Sequence, residues 1–214
     1  MCNFAVNSIT FSSKNQKLLK NLHGKIMKCY QTRRGNLVRN LLINHGYEEP
    51  LIASLVNKTD HFSDCDNFIV RKDNVYTFSC ETTTSWRANI SPFLKLLSDC
   101  YQNSIHISFI SEEPGNEQFV VFDESGMFYP ERYRVDWCLN GEYETEYFTS
   151  FKEIINYLKY HFPDAEFGYY DRIIDIKRSI DESYSERDSD YFFNFNKFQE
   201  FEYTPYEYYN QEAC

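Results

Sequence analysis

The order of apolar and polar residues predicts a chain in which strands and helices follow one another over residues 1–180. Residues 3–11 alternate between apolar and polar and predict a strand. Residues 14–30 repeat their apolar positions every three or four residues and predict a helix, with Ser12 or Ser13 as its cap. Further helices are predicted over 37–44, 50–58, 92–102 and 151–162, with Ser91 and Ser150 as N-caps of the last two.

Strand pairs are predicted wherever two alternating segments flank a short turn. Residues 67–81 predict a hairpin around Lys72-Asp73-Asn74, and residues 131–148 predict a second around Asn140-Gly141, a sequence typical of a type I′ turn. Single strands are predicted over 104–111 and 118–124, and a further helix over 164–180. The polar stretch from residue 181 predicts a flexible boundary, which divides the chain into a domain over 1–180 and an appendage over 181–214.

The predicted helix over 14–30 has an apolar face and an opposite face made of lysines. No acidic residue occurs before Glu48, and basic residues continue beyond the helix. Cations without counter-charge would neutralise the phosphates of a nucleic acid and release its counterions. Few aromatic rings lie among these basic residues, so little stacking on bases is expected. We therefore predict that these basic residues contact a nucleic-acid backbone; the alternative is an ordinary solvated helix face. The predicted residues are Lys14, Lys17, Lys20, Lys25, Lys28, Arg33, Arg34 and Arg39.

The charge of the 214-residue chain is distributed unevenly about its net value of −10. Residues 1–60 sum to +6, whereas residues 181–214 sum to −7. The basic end would attract phosphates, and the acidic end would suit a basic protein surface.

The chain ends in a segment that is both aromatic and acidic, with ten Tyr and Phe residues among positions 191–209. Aromatic side chains are enriched in interface cores, and carboxylates complement arginine-rich surfaces. The predicted partner-binding residues are Tyr203, Tyr206, Tyr208, Tyr209, Glu202 and Glu207. The alternative, compatible with the first, is that Phe192, Phe195, Phe198 and Phe201 fix this tail to the domain.

Residues 81–126 contain a strand ending near Trp86, a helix with Leu97-Ser98, and the turn Glu112-Glu113-Pro114-Gly115 before a strand that ends near Gly126. With the opening strand and its Asn7, this pattern resembles the YubB ferredoxin-like domain family of plasmid and phage proteins over residues 1–126. Arg87-Ala88 departs from the family's proline-containing stretch, and "QFVVF" departs from its aromatic–glycine pair. The resemblance implies an α+β, ferredoxin-like sandwich of antiparallel strands with helices packed on one face, followed here by the acidic aromatic tail. It also implies a mobile-element origin, and it brings no known active site.

Motifs for catalysis are weak. His61 and Cys65 lie four residues apart among Asp60, Asp64 and Asp66, but no second ligand pair follows for zinc. Glu112, Glu113 and Glu117 could perform acid–base chemistry or simply solvate a turn. Pairs such as His106 or His161 with Cys80 or Cys138 carry no specific spacing. We therefore predict no catalytic residues, no metal and no cofactor.

Seven scattered cysteines without a C-x-x-C pair favour a reducing compartment, and no segment predicts a signal peptide or a membrane span. We expect a protein of the bacterial host cytoplasm that does not act on membranes. The expected function is that of a phage or mobile-element antidefence protein, which inhibits a nucleic-acid-guided nuclease of CRISPR type by binding the nuclease, its guide RNA or both. The alternatives are a small RNA- or DNA-binding accessory protein of the element, or a nuclease or hydrolase using the Glu112–Glu117 cluster.

Overall fold

The computed structural model describes residues 4–32, 36–57, 60–85, 89–113, 115, 118–123 and 125–201 of the chain. These residues form two compact units. The first unit is built from residues before Pro130 together with those after Gln199, and the second unit is Pro130–Gln199. The second unit is therefore inserted, in sequence, into the first.

The first unit combines a sheet with four helices. Its strands are β1 (Phe4–Ser13), β2 (His61–Cys65), β3 (Val70–Lys72), β4 (Val75–Ser85), β5 (His106–Glu113) and β6 (Gln118–Phe122). Its helices are α1 (Gln16–Thr32), α2 (Leu37–Ile43), α3 (Glu49–Leu55) and α4 (Ser91–Tyr101). The chain returns to this unit through β10 (Gln199–Glu200), which lies beside β6.

The strands of the first unit follow the order β10-β6-β5-β1-β4-β2. Strand β3 pairs with the first residues of β4. Strand β1 pairs antiparallel with both β4 and β5, and β2 and β6 extend the sheet antiparallel on either side. Sequence neighbours β1 and β2 are thus separated by β4, and α1, α2 and α3 make the crossover between them.

One face of this sheet carries the helices and the apolar core. Ile9 and Phe11 of β1 are fully buried there, because alternate residues of a strand point to the same face. The ring of Phe11 lies 5.1 Å from that of Phe78 and 5.7 Å from that of Phe93, which joins β1 to β4 and α4. Helix α1 contributes Leu19, Leu22, Ile26 and Cys29 to the same core.

The second unit contains β7 (Tyr133–Leu139), β8 (Glu142–Phe148), α5 (Phe151–His161), α6 (Ile173–Tyr184) and β9 (Phe192–Lys197). The strand order is β8-β7-β9, with antiparallel pairs. Asn140 and Gly141 have φ values of 53° and 77°, so the predicted tight turn of this hairpin is confirmed. Ser150 and Glu153 form a reciprocal capping box at the start of α5, as the Ser150 cap predicted.

The prediction of an α+β protein is confirmed, and several details differ from the sequence-based expectations. Asn15 rather than Ser12 or Ser13 caps α1, because its side-chain oxygen accepts from the backbone N–H groups of Lys17 and Leu18. Helix α4 begins at Ser91 itself, with Ile90 at the N-cap position and no side-chain cap. Strands β2 and β9 were not predicted.

The predicted boundary at residue 181 falls inside α6, and strands β9 and β10 follow that helix. Ile176, Ile180 and Tyr184 are buried at four-residue intervals, so the polar composition of this stretch reflects the solvent face of a helix. The assignment of residues 1–180 and 181–214 as separate domains stays a prediction. No helix within the described ranges is long and apolar enough to cross a membrane.

Candidate nucleic-acid interface

The predicted lysines lie on the solvent side of α1. Four of them (Lys17, Lys20, Lys25 and Lys28) belong to the helix, and Lys14 lies two residues before its first residue. All are exposed except Lys25, which is half-buried, while the opposite side of the helix packs against the sheet. We define this set of five lysines as the lysine face.

The ammonium groups of the lysine face are not paired with carboxylates in the part of the chain that the structure describes. The expectation that Arg39 also lacks a counter-charge is wrong, because its guanidinium pairs with the carboxylate of Glu49. The two helices α2 and α3 pack together, which brings these residues within reach. Arg33 and Arg34 lie outside the described residues.

A groove of about 680 Å³ runs along one edge of the lysine face. Lys17, Asn21 and Lys25 line it from α1, and Cys100 and Tyr101 line it from the end of α4. The segment Asn44–Gly46 closes it from the end of α2. Gly46 has a φ of 83°, a left-handed conformation that lets the chain reverse directly after the helix. The groove therefore combines two cations with neutral hydrogen-bonding groups.

Hydrogen bonds fix the floor of the groove. Nδ1 of His45 lies 2.8 Å from the carbonyl oxygen of Leu41, and its Nε2 lies 3.1 Å from the hydroxyl of Tyr101. That hydroxyl also lies 3.1 Å from Oδ1 of Asn21. Burial lowers the pKa of His45; its bond to Leu41 opposes this effect, whereas the charge of Lys25 reinforces it. An anion in the groove would favour the charged imidazole.

The central strands β1, β4 and β5 carry no cations on the other face of the large sheet. RRM modules stack RNA bases on aromatic side chains of their sheet. Here the outward positions of β1, β4 and β5 carry no lysine or arginine, and they include Glu81 and Glu112. The hydroxyl of Tyr129 lies 2.9 Å from Oγ1 of Thr10, so the loop before the second unit covers part of this face. The lysine face is the better candidate for phosphate contacts.

Two glutamates of the alternative catalytic cluster, Glu112 and Glu113, lie on opposite sides of the sheet, because they are consecutive residues of β5. Glu113 is buried, with 1% exposure, on the helix-bearing face, near the fully buried Asn7. Glu117 lies outside the described residues. A joint catalytic role of Glu112 and Glu113 therefore has no geometric support.

The histidines and cysteines considered from the sequence lie in different environments. His61 is exposed on β2, whereas Cys65 is buried against Cys80 of β4. Burial raises the pKa of the Cys65 thiol to about 12 and that of Cys80 well above its usual value, which opposes formation of a reactive thiolate. His161 packs against the rings of Trp137 and Tyr157. Among the described residues, no three His, Cys, Asp or Glu side chains are grouped to hold a metal.

The aromatic tail is only partly described. The buried phenylalanines of this segment are Phe193, Phe195 and Phe198, whereas Phe192 is 37% exposed. Buried positions within β9 therefore alternate as in a strand and do not follow the predicted spacing of three residues. Phe201 contacts the rings of Phe109 and Phe122 in the first unit. The predicted partner-binding residues all lie outside the described part of the chain: Glu202, Tyr203, Tyr206, Glu207, Tyr208 and Tyr209.

Sequence reasoning missed Asn21, His45 and Tyr101. Asn21 lies on the same helical face as the lysines, so the helix periodicity contained a signal for it. His45 and Tyr101 lie 56 residues apart in the chain, and nothing in their spacing predicts that the fold brings their side chains together.

Comparisons of the chain with protein-family models, with curated protein sequences and with solved structures found no significant match. The resemblance of residues 1–126 to the YubB family, and the mobile-element origin that it implies, therefore stay predictions.

Proposed function

We propose that this chain is a non-enzymatic nucleic-acid-binding protein that contacts the phosphate backbone through the lysine face. The observation that carries the proposal is the lysine face, four lysines on one side of α1 and Lys14 before it, none of which is ion-paired within the described residues. Such a face gains affinity from the counterions that a polyanion releases on binding.

The geometry of α1 suits a backbone rather than a single small anion. At about 1.5 Å per residue, Lys17 and Lys28 lie about 16 Å apart along the helix axis. That length corresponds to about five steps of 3.4 Å along one strand of a duplex. Backbone contacts carry no sequence information by themselves, so the proposed binding is weakly sequence-specific.

For the first unit we propose a ferredoxin-like fold. The support is its strand order β5-β1-β4-β2 with antiparallel neighbours. Helix α1 follows β1 and helix α4 follows β4, which is the order of a split β-α-β repeat. This topology supports the proposed relation to the YubB family without adding a catalytic role.

The more specific role that we propose is antidefence, in which the protein inhibits a nucleic-acid-guided nuclease. The lysine face would contact the guide RNA, and acidic surfaces would contact the enzyme. The support is the separation of charge: no acidic residue precedes Glu48, whereas the second unit contains fifteen acidic and nine basic residues. If expression of the protein left CRISPR interference in bacterial cells unchanged, this role would fail while nucleic-acid binding could still stand.

The test of nucleic-acid binding is a comparison of two triple charge reversals in the full chain. Lys17→Glu, Lys25→Glu and Lys28→Glu change the lysine face, whereas Lys152→Glu, Lys159→Glu and Lys197→Glu change exposed lysines of the second unit. Fluorescence anisotropy with a 20-nucleotide RNA and a DNA duplex should show at least a hundredfold loss of affinity for the first variant and a much smaller loss for the control. Equal losses, or none, would reject the lysine face as the binding surface.

A further inference from the structure

Strand β8 leaves one backbone side without a neighbouring strand. It ends the order β8-β7-β9, so no strand is hydrogen-bonded to its outer side in the part of the chain that the structure describes. The two-residue turn at Asn140-Gly141 pairs Leu139 with Glu142 through backbone hydrogen bonds. Antiparallel pairing alternates, so the N–H and C=O groups of Tyr143 and Thr145 point away from β7.

This edge lacks two of the residues that most often prevent strand addition, lysine and proline, although it carries three glutamates. Proteins protect exposed edges with charged side chains, above all lysine, and with proline, bulges, very short strands or a covering helix or loop. The seven residues of β8 contain neither lysine nor proline. Its register with β7 is continuous from Tyr133↔Phe148 to Leu139↔Glu142. The edge is therefore long and regular enough to pair with another strand.

The side chains of β8 separate into an acidic row and an aromatic row. Glu142, Glu144 and Glu146 share one face, because residues two apart point the same way. None of the three forms an ion pair within the described residues, although Glu144 accepts a hydrogen bond of 2.8 Å from Tyr157. On the other face, Tyr143 is 60% exposed and Tyr147 is 41% exposed.

We propose that β8 is a docking edge for an extended basic segment of a partner protein, which adds to the sheet as a further antiparallel or parallel strand. Main-chain hydrogen bonds to Tyr143 and Thr145 would supply affinity, as in other cases of strand addition. Lysine or arginine at every second position of the added strand would lie beside Glu142, Glu144 and Glu146. This site is independent of the lysine face, and it uses residues other than those of the aromatic tail.

The charge of β8 favours a basic polypeptide over two other occupants, a second copy of this chain and a nucleic acid. A second copy of the chain, paired antiparallel through β8, would place glutamates opposite glutamates on the same face, which destabilises a strand pair. A nucleic acid would be repelled by the same carboxylates. A basic polypeptide is favoured by both the free backbone groups and the acidic row.

The first experiment measures binding of a defined probe, a nine-residue peptide of alternating lysine and valine, to the full chain by fluorescence anisotropy. Thr145→Pro removes an outward N–H at an edge position where proline is tolerated. The matched control Thr145→Val keeps that N–H and removes only the hydroxyl that donates to Asp136 at 2.7 Å. We expect at least a tenfold loss of affinity for Thr145→Pro and less than a twofold change for Thr145→Val; equal affinities would overturn the proposal.

The second experiment tests charge and does not depend on the folding of the proline variant. Glu142→Gln with Glu146→Gln should weaken peptide binding at least fivefold, whereas Glu182→Gln with Glu186→Gln, at exposed sites elsewhere in the unit, should have little effect. In the unmodified chain, the peptide should slow hydrogen exchange of the Tyr143 and Thr145 amides. The proposal of a basic partner segment would be rejected if exchange at both amides stayed unchanged. It would also be rejected if the chain formed a dimer that Thr145→Pro dissociates.

Discussion

The Nε2 atom of His45 lies 3.1 Å from the hydroxyl oxygen of Tyr101, at the floor of the groove beside the lysine face. Nδ1 of the same ring faces the carbonyl of Leu41 and therefore carries a proton. When the ring is neutral, Tyr101 donates to Nε2. When the ring is charged, Nε2–H donates to Tyr101, whose own proton can turn to Asn21. The same side chains accommodate both protonation states.

We expect nucleic-acid binding to strengthen as the pH falls below about 6.5, the usual pKa of histidine. Burial lowers the pKa of His45 in the free protein, and a bound phosphate would raise it, so binding takes up a proton. Tyr101 does not titrate in this range, because burial raises its pKa to about 12. RNA affinity measured from pH 5.5 to 8 should lose much of this dependence in His45→Gln. An identical pH profile for the variant would exclude His45 as the coupled group.

The lowered pKa of His45 also makes the stability of the fold depend on pH. A histidine whose pKa is lower in the folded state leaves more protons bound to the unfolded chain. The contribution of His45 to the free energy of unfolding is therefore present above about pH 6.5 and is lost as the pH falls toward the folded pKa. Urea unfolding of the native chain and of His45→Gln should show this difference in pH dependence.

The number of phosphate contacts can be read from the salt dependence of affinity. If about four lysines of the lysine face each neutralise one phosphate, the logarithm of the binding constant should fall with log[salt] at a slope of about −3 to −4. Each change of Lys17 or Lys28 to Gln should reduce the magnitude of the slope by about 1. Lys152→Gln serves as the control and should leave it unchanged. A native slope near zero would contradict phosphate contacts altogether.

Two glycines should respond in opposite directions to the same substitution. Gly24 lies on the exposed side of α1, and an added Cβ would meet nothing within 4 Å, so Gly24→Ala should stabilise the protein by about 0.5–1 kcal/mol. Gly141 has a φ of 77°, so Gly141→Ala should destabilise the β7–β8 hairpin by about 1–2 kcal/mol. Denaturant unfolding, monitored separately in each unit, would measure whether each substitution raises or lowers the free energy of unfolding. Stabilisation by Gly141→Ala would contradict the turn geometry.

Asp60 should make stability depend on pH in the opposite sense to His45. Its Oδ2 accepts from the Asn57 N–H at 2.9 Å and from the Asn89 amide at 2.6 Å, but Oδ1 has no hydrogen-bond partner among the described residues. Burial raises its pKa despite these donors, so the folded state holds the proton to higher pH. The contribution of Asp60 to the free energy of unfolding therefore falls as the pH rises from about 4 through the folded pKa.

Asp60→Asn keeps an acceptor for both donors and removes this titration. Its stability relative to the native chain should improve between pH 4.5 and 7 in urea unfolding. Asp60→Ala, in contrast, leaves both donors without their acceptor and should cost about 1–3 kcal/mol. Parallel pH curves for the Asn variant and the native chain would show that Asp60 does not carry the raised pKa.

Local sequence patterns predicted much of the fold because some elements are specified by nearby residues. The alternation in β1, the apolar stripe of α1 and the turn at Asn140-Gly141 each express their structure within a few residues. Strand β2 was missed because a bulge between Phe62 and Asp64 shifts its register. Its buried residues Phe62 and Cys65 are therefore three apart, which breaks the alternation of a regular strand.

The candidate site was predicted only as far as one helix could define it. The lysine face follows from the period of α1, but the pairing of Arg39 with Glu49 depends on how two short helices pack. Likewise, His45 and Tyr101 meet only because α2 and α4 cover the same face of the sheet. Contacts between distant residues such as these are set by tertiary packing, which local periodicity does not encode.

The insertion of the second unit between β6 and β10 has a consequence for the order of events during translation. Residues 130–199 form one continuous stretch, so this unit can fold as soon as it has left the ribosome. Phe201, whose ring contacts those of Phe109 and Phe122, is synthesised only after that stretch is complete. The sheet of the first unit thus gains β10 only after the second unit has been synthesised, although its other strands emerge earlier.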